Sequence, residues 1–111
     1  MSQSPPAPRQ LFADRLRQAR ALRGVPSQRA LGLLMGLDKS LAGNRVNRYE
    51  SQARGIDLDG LGKLAEVLGV PMAYLVAPDD ATADLLLVLA RLSEEERARV
   101  LADLLQSLNR T

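Results

Sequence analysis

Cysteine and histidine are both absent from this chain of 111 residues. Without cysteine the chain cannot form a disulfide, a zinc–thiolate site or a thiol nucleophile. Without histidine it lacks the commonest general base and metal ligand of proteins. The remaining residues show no pair of a nucleophile and a base. We therefore expect neither an enzyme nor a protein with a metal or an organic cofactor.

Aromatic residues and long apolar segments are also scarce. The aromatic residues are Phe12, Tyr49 and Tyr74, so leucine, alanine and valine must build the core, which favours helices. The longest uninterrupted apolar run, residues 30–37, is far shorter than the ~20 residues of a membrane-spanning helix. Residues 1–8 have neither the basic start nor the apolar stretch of a signal peptide. We expect a cytoplasmic protein without a membrane contact, and a disordered tail over residues 1–8.

The charges are divided unequally along the chain. Residues 9–54 contain ten arginine or lysine residues against three acids, a net charge of +7, whereas residues 55–111 contain five against ten, a net charge of −5. A basic half joined to an acidic half indicates a surface that binds a polyanion on one side of the protein. The alternative explanation is a random scatter of solvated charge.

Apolar residues at three- and four-residue spacing, separated by helix-ending glycines, predict an all-α protein. The predicted helices are 10–23, 27–36, 39 or 40 to 53, 57–69, a short helix after residue 71, 81–92, and one that follows residue 93. Ser27 and Asp57 are placed to cap the first turns of their helices. Ser93 and Glu96 have the spacing of a capping box.

The third predicted helix has one face that suits DNA. With Val46 at the centre of the inward side, the opposite side collects only hydrogen-bonding and cationic residues: Ser40, Asn44, Arg45, Asn47, Arg48 and Ser51. Asparagine and arginine match the major-groove edges of adenine and guanine in two-point contacts. No acid lies between Asp38 and Glu50. The second and third helices therefore have the character of a helix-turn-helix, which places its second helix in the major groove; an ordinary solvated face is the alternative.

From Phe12 to Leu75 the sequence resembles the Cro/phage-repressor type of helix-turn-helix, the xenobiotic-response-element (XRE) family of bacterial regulators. The matching segments are FADRLRQARALRG, PSQRALGLLMGL, NRVNRYESQARG and LDGLGKLAEVLGVPMAYL. The resemblance implies a five-helix, repressor-like DNA-binding domain, here residues 9–76. It also implies sequence-specific binding to double-stranded DNA in the regulation of transcription.

One segment departs from the family pattern. LDKSLAGNRVNRYE is longer than its family counterpart by about four residues, one helical turn. The additional residues either lengthen the recognition helix or enlarge the loop before it. When the segment is aligned backwards from Glu50, the resemblance assigns base reading to Gly43, Asn44, Arg45, Asn47 and Arg48.

The resemblance also implies a set of phosphate contacts. Gln28 stands at the start of the second helix, where free N–H groups favour an anion, and Arg54 follows the recognition helix. The full predicted set is Ser27, Gln28, Lys39, Ser40, Arg54, Arg15 and Arg17, although capping alone would explain Ser27 equally well. Glu50 resembles the structural acid of the family, and we expect it to be a buried or half-buried partner of an arginine on the first helix.

Two predicted helices over residues 81–111, after a linker at 77–80, need a separate explanation. The first of them is apolar on nearly every side, so it must be covered on every side. We expect a homodimer that presents two recognition helices to half-sites ~34 Å apart on a pseudo-palindromic operator, as a repressor would. The predicted interface residues are Leu85, Leu86, Leu89, Leu101, Leu105 and Leu108.

Three alternatives to this homodimer remain open from the sequence. The C-terminal helices could complete a monomeric core. In an antitoxin-type regulator of the same fold, they would instead bind a partner protein through the acidic C-terminal half. A small all-α interaction module without affinity for DNA would require the basic half to be incidental.

Overall fold

The computed structural model describes residues 6–110, except for the side chain of Gln52, and every regular element in this range is helical. The elements are α1 (Pro8–Leu22), α2 (Gln28–Leu34), α3 (Ala42–Gln52), α4 (Leu58–Leu68), a 3₁₀ helix (Met72–Val76), α5 (Asp80–Ala90) and α6 (Glu94–Asn109). The predicted all-α fold is confirmed. Of the predicted tail, residues 1–5 lie outside the described residues, and α1 already begins at Pro8.

Three helices, α2, α4 and α6, begin at the caps that the sequence predicts. The Ser27 hydroxyl oxygen accepts a hydrogen bond from the Ala30 N–H at 2.9 Å, and the Asp57 carboxylate accepts one from the Gly60 N–H at 2.7 Å. At α6 the capping box is complete, since the Ser93 hydroxyl and the Glu96 carboxylate each accept the other residue's N–H. Each cap satisfies backbone N–H groups that have no partner within the helix.

The turn between α2 and α3 is longer than predicted, and α3 is correspondingly shorter. The prediction that α3 begins at residue 39 or 40 is wrong, since the helix begins at Ala42. The Asp38 carboxylate accepts hydrogen bonds from the N–H and the hydroxyl of Ser40, each at 2.9 Å. Such local bonds hold the backbone in a turn and compete with helix formation. The additional residues therefore enlarge the loop and leave the recognition helix at its short length.

Helices α2 and α3 approach each other backbone to backbone. Gly32 is buried in the middle of α2, and a Cβ atom added there would lie 2.5 Å from the carbonyl oxygen of Ala42, the first residue of α3. Only glycine allows this approach without displacing a helix. Gly32 therefore contributes to the position of α3 relative to the rest of the protein.

The core lies between α1, α2, α3, α4 and the 3₁₀ helix. Its fully buried large apolar side chains are Leu16, Leu31, Val46, Leu64, Leu68 and Leu75. Helix α5 adds buried Ala83, whereas α6 has no buried residue. The radius of gyration is 16.3 Å, above the ~13 Å expected for a compact chain of this length. Helix α6 is thus an extension of the body rather than part of its core.

Candidate nucleic-acid interface

An ion pair between Arg20 of α1 and the buried Glu50 of α3 holds α3 in position. Glu50 is 2% exposed, and its carboxylate accepts hydrogen bonds from Nε of Arg20 at 2.7 Å and from Nη2 at 3.2 Å. Arg17 donates to the main-chain carbonyl oxygen of Glu50. Both arginines belong to α1, so these bonds join the first helix to the end of α3. The predicted role of Glu50 as a buried partner of an arginine on the first helix is confirmed.

Gln28 and Asn47 extend this network to the surface. The Gln28 amide nitrogen donates to Oε1 of Glu50 at 3.1 Å, and the Asn47 amide nitrogen donates to Oε1 of Gln28 at 3.1 Å. The start of α2 and the exposed side of α3 therefore lie side by side. The sequence placed both residues at the interface but did not predict that their side chains are bonded to each other.

Three of the five predicted base-reading residues lie on the exposed side of α3, and the other two lie at its margins. Asn44, Asn47 and Arg48 are exposed, and Arg45 is half-buried. Gly43 is also half-buried, and a Cβ atom added there would meet Cβ of Arg29 at an ordinary 3.6 Å. This face carries amide and guanidinium groups that can form two-point contacts with base edges.

The exposed residues among the predicted phosphate contacts lie at the start of α2, in the loop before α3 and directly after α3. Ser27 and Gln28 lie at the start of α2, beside Asn47 through the bond just described. Lys39 and Ser40 are exposed in the loop before α3, and Arg54 is exposed directly after it. The two hydrogen bonds from Ser40, the main-chain bond first, hold the pKa of the Asp38 carboxyl below its usual range. The loop therefore carries an anion as well as the Lys39 cation.

Two predicted phosphate contacts have other partners. Arg15 does not belong to the interface: it is 4% exposed, and it donates to the Ala77 carbonyl oxygen at 3.1 Å and to the Asp80 carboxylate at 2.9 Å. It joins α1 to the start of α5, so its assignment as a phosphate contact is corrected. Arg17 pairs with Asp14 on α1 while its side chain stays 44% exposed.

Sequence reasoning gave no role to Arg29, the second residue of α2. Its side chain is exposed, and its Cβ lies against the first turn of α3 at Gly43. A cation in the first turn of α2, beside the expected recognition helix, was the signal that could have identified it. Arg29 adds positive charge to the same surface as Gln28.

The predicted dimer-interface leucines are exposed to different extents. Leu85, Leu101, Leu105 and Leu108 are at least half exposed. Leu86 packs against the core as a partly buried residue, and Leu89 is half-buried. Leu86 therefore already makes contacts within the chain, and its place in a dimer interface stays a prediction. Within residues 6–110 no helix is both long and apolar enough to cross a membrane.

The described geometry is that of an all-helical protein in which α2 and α3 form a helix-turn-helix, with a polar, cationic face exposed on α3. No protein-family model and no curated protein matches the chain. Among solved structures, the crystal structure of transcriptional regulator BswR is 37% identical, with a TM-score of 0.76 over 85% of this chain and 92% of that one. The chain belongs to the same family as this regulator.

Proposed function

We propose that the protein is a transcription regulator of the Cro/phage-repressor (XRE) type, which binds pseudo-palindromic double-stranded DNA as a cytoplasmic homodimer and represses transcription. The observation that carries the proposal is the exposed face of α3, where Asn44, Asn47 and Arg48 stand together without an acid. The similarity to the transcriptional regulator BswR supports the regulatory role. The proposed activity is binding, and it requires neither catalysis nor a cofactor.

The residues divide into base readers and phosphate contacts. Arg45 and Arg48 suit the O6 and N7 atoms of guanine, and Asn44 and Asn47 suit the N6 and N7 atoms of adenine. The free N–H groups at the start of α2, with Ser27, Gln28, Lys39, Ser40 and Arg54 around them, suit phosphate oxygens. Phosphate contacts position the protein on the duplex, whereas base contacts select the sequence.

Selection of bound sequences from a random duplex pool, at low and at moderate salt, tests this proposal. We expect an inverted repeat whose half-sites lie about one DNA turn, ~34 Å, apart. If no motif is recovered and binding disappears as salt rises, attraction to the DNA backbone alone explains the binding. The base-reading assignments would then be wrong.

Two single substitutions separate base reading from backbone attraction. Arg48→Ala should weaken binding to the selected sequence by ~1–3 kcal/mol and relax the preference at one base pair. Arg54→Ala should weaken binding to all sequences alike and reduce the salt dependence. Competition titrations with selected and unrelated duplexes distinguish these results. A uniform loss in both variants would contradict the assignment of Arg48 to a base.

The exposed leucines of α6 support a homodimer. Leu101, Leu104 and Leu105 are 57%, 52% and 51% exposed, and their spacing places them along one side of the helix. The helix has 16 residues and none is buried, yet most helical stability in proteins comes from packing of an apolar face. A second copy of α6 would supply that packing and would give the two-fold symmetry of a palindromic site.

An antitoxin-type regulator of the same fold is the second candidate. It is favoured by the same exposed leucines together with the three consecutive glutamates of the first turn of α6, which suit a basic partner protein. Sedimentation equilibrium of the purified chain distinguishes the two candidates. A dimer at micromolar concentration supports the homodimer. A monomer that is recovered from its host in complex with a second protein supports the antitoxin.

A further inference from the structure

We propose that the buried Glu50 carboxylate, acting through Gln28, fixes the direction in which the Asn47 carboxamide faces DNA. The outward-facing Asn47 oxygen would then pair only with a base that has an exocyclic amino group in the major groove. Gln28 and Glu50 are positioning residues in this proposal, since neither needs to touch the base. The proposal rests on the proposed DNA-binding role of α3.

The chain of hydrogen bonds from Glu50 through Gln28 to Asn47 begins at the buried carboxylate of Glu50. Glu50 is almost fully buried and paired with the Arg20 guanidinium at 2.7 Å. An ionised carboxylate accepts hydrogen bonds and cannot donate one. Any amide that contacts Oε1 of Glu50 must therefore present its NH₂ group.

Because Glu50 only accepts, the orientation of the Gln28 carboxamide is fixed, and it fixes in turn the orientation of Asn47. Its amide nitrogen donates to Glu50 at 3.1 Å, and the reversed orientation would place its oxygen against a carboxylate oxygen. With the nitrogen held inward, the Gln28 oxygen faces Asn47 and accepts a bond from the Asn47 amide nitrogen at 3.1 Å. A reversed Asn47 would again place oxygen against oxygen, because a carbonyl oxygen only accepts.

Asn47 therefore presents its oxygen and its second N–H to solvent. Adenine offers an N6 donor and an N7 acceptor, which match both groups, and cytosine offers an N4 donor, which matches the oxygen. Guanine and thymine offer only acceptors at this edge, O6 and N7 or O4, which can pair with the second N–H but leave the Asn47 oxygen without a donor. Asn44 provides an internal comparison, since it makes no hydrogen bond to any residue of the described range and can turn either way.

Nitrogen-15 relaxation of the side-chain amides in the DNA-free protein tests the orientation directly. We expect the Asn47 amide to be ordered and the Asn44 amide to be mobile. In Gln28→Met, which keeps the side-chain length but removes the amide, Asn47 should become as mobile as Asn44. Unchanged order of Asn47 in folded Gln28→Met would overturn the proposal.

Affinity for modified DNA tests the consequence for base reading. Asn47→Ala first identifies the base pair that Asn47 contacts in the selected operator. Where the base is adenine, its replacement by purine, which retains N7 but lacks the N6 amino group, should weaken wild-type binding by about tenfold. Replacement of cytosine by its analogue without the N4 amino group should likewise weaken binding.

The Gln28→Met variant should lose this sensitivity to the amino group, whereas the control Gln10→Met on α1 should retain it. Equal sensitivity in Gln28→Met and the wild type would refute the proposal even though DNA is bound. If no operator is selected at all, the base-reading step fails together with the proposed function. The relaxation comparison would still decide whether Glu50 and Gln28 orient Asn47.

Discussion

The backbone contact between α2 and α3 makes Gly32→Ala a sharp test of the helix-turn-helix geometry. The added Cβ atom would lie 2.5 Å from the Ala42 carbonyl oxygen and 2.7 Å from its Cα, whereas an ordinary contact begins at 3.4 Å. The atoms that it meets are backbone, so no side-chain rotation can relieve the overlap. Helix α3 must move away from α2, and its recognition face must move with it.

The expected magnitude follows from two opposing effects. Overpacking costs ~1–3 kcal/mol, and the upper end applies here because backbone atoms cannot rotate away. Alanine is a better helix former than glycine by ~1 kcal/mol. We therefore expect Gly32→Ala to lower the free energy of unfolding by ~2 kcal/mol. The molecules of Gly32→Ala that do fold should also bind DNA more weakly than the wild type, since α3, the proposed recognition helix, is displaced.

Gly62→Ala is the matched control for Gly32→Ala. Gly62 lies inside α4, and a Cβ atom there would meet Sδ of Met72 at an ordinary 3.9 Å, so we expect a gain of ~0.5–1 kcal/mol. Urea unfolding followed by circular dichroism measures both changes, with equal slopes required for a simple comparison. If both substitutions stabilise the protein, the conclusion that α2 and α3 approach too closely for a Cβ atom at residue 32 is wrong.

Three further predictions concern the buried ion pair, the caps and α6. Glu50→Ala should lower the free energy of unfolding by ~3 kcal/mol in a urea titration, because a largely buried guanidinium loses its partner. Glu66→Ala, in an exposed pair, should change it by less than ~1 kcal/mol, and equal losses would contradict the argument. The main-chain N–H of Thr82, and after it the Thr82 hydroxyl, hold the pKa of Asp79 below its usual range, so the folded carboxyl binds fewer protons than the unfolded one. Its contribution to stability is therefore present above the ordinary carboxyl pKa of ~4 and is lost as pH falls through the lower folded value. Asp79→Asn keeps a capping oxygen without this titration, so its thermal midpoint should fall less between pH ~5 and ~2 than that of the wild type; identical profiles would refute this. Leu105→Asn should convert the proposed dimer to a monomer in sedimentation equilibrium, whereas Leu58→Asn, at a leucine of α4 that is even more exposed, should leave it a dimer.

Local features of the fold could be predicted well from the sequence. The caps Ser27, Asp57 and Ser93 each bond to a residue three positions away, so residue type and spacing suffice to identify them. The inward side of α3 was also predictable, because helical periodicity separates Val46 from the polar face. The same periodicity could not decide where α3 begins, since that depends on bonds of Asp38 within the loop.

The candidate site could be predicted in its composition but not in its contacts. The basic and amide residues of α3 were evident from the sequence, whereas the bond between Gln28 and Asn47 joins residues 19 positions apart. Arg15 shows the same limit, since its charge alone suggested a phosphate contact. Its actual partners lie 62 and 65 residues away, at Ala77 and Asp80.

The sequence by itself determined the all-helical class, the caps at Ser27, Asp57 and Ser93 and the polar face of α3, because each depends on residues within one or two helical turns. The tertiary structure decided which arginines are buried, that the additional residues enlarge the turn, and that α6 has no buried residue. These features depend on how closely helices approach one another. That approach is set by distant contacts, such as Gly32 against Ala42, which helical periodicity does not encode.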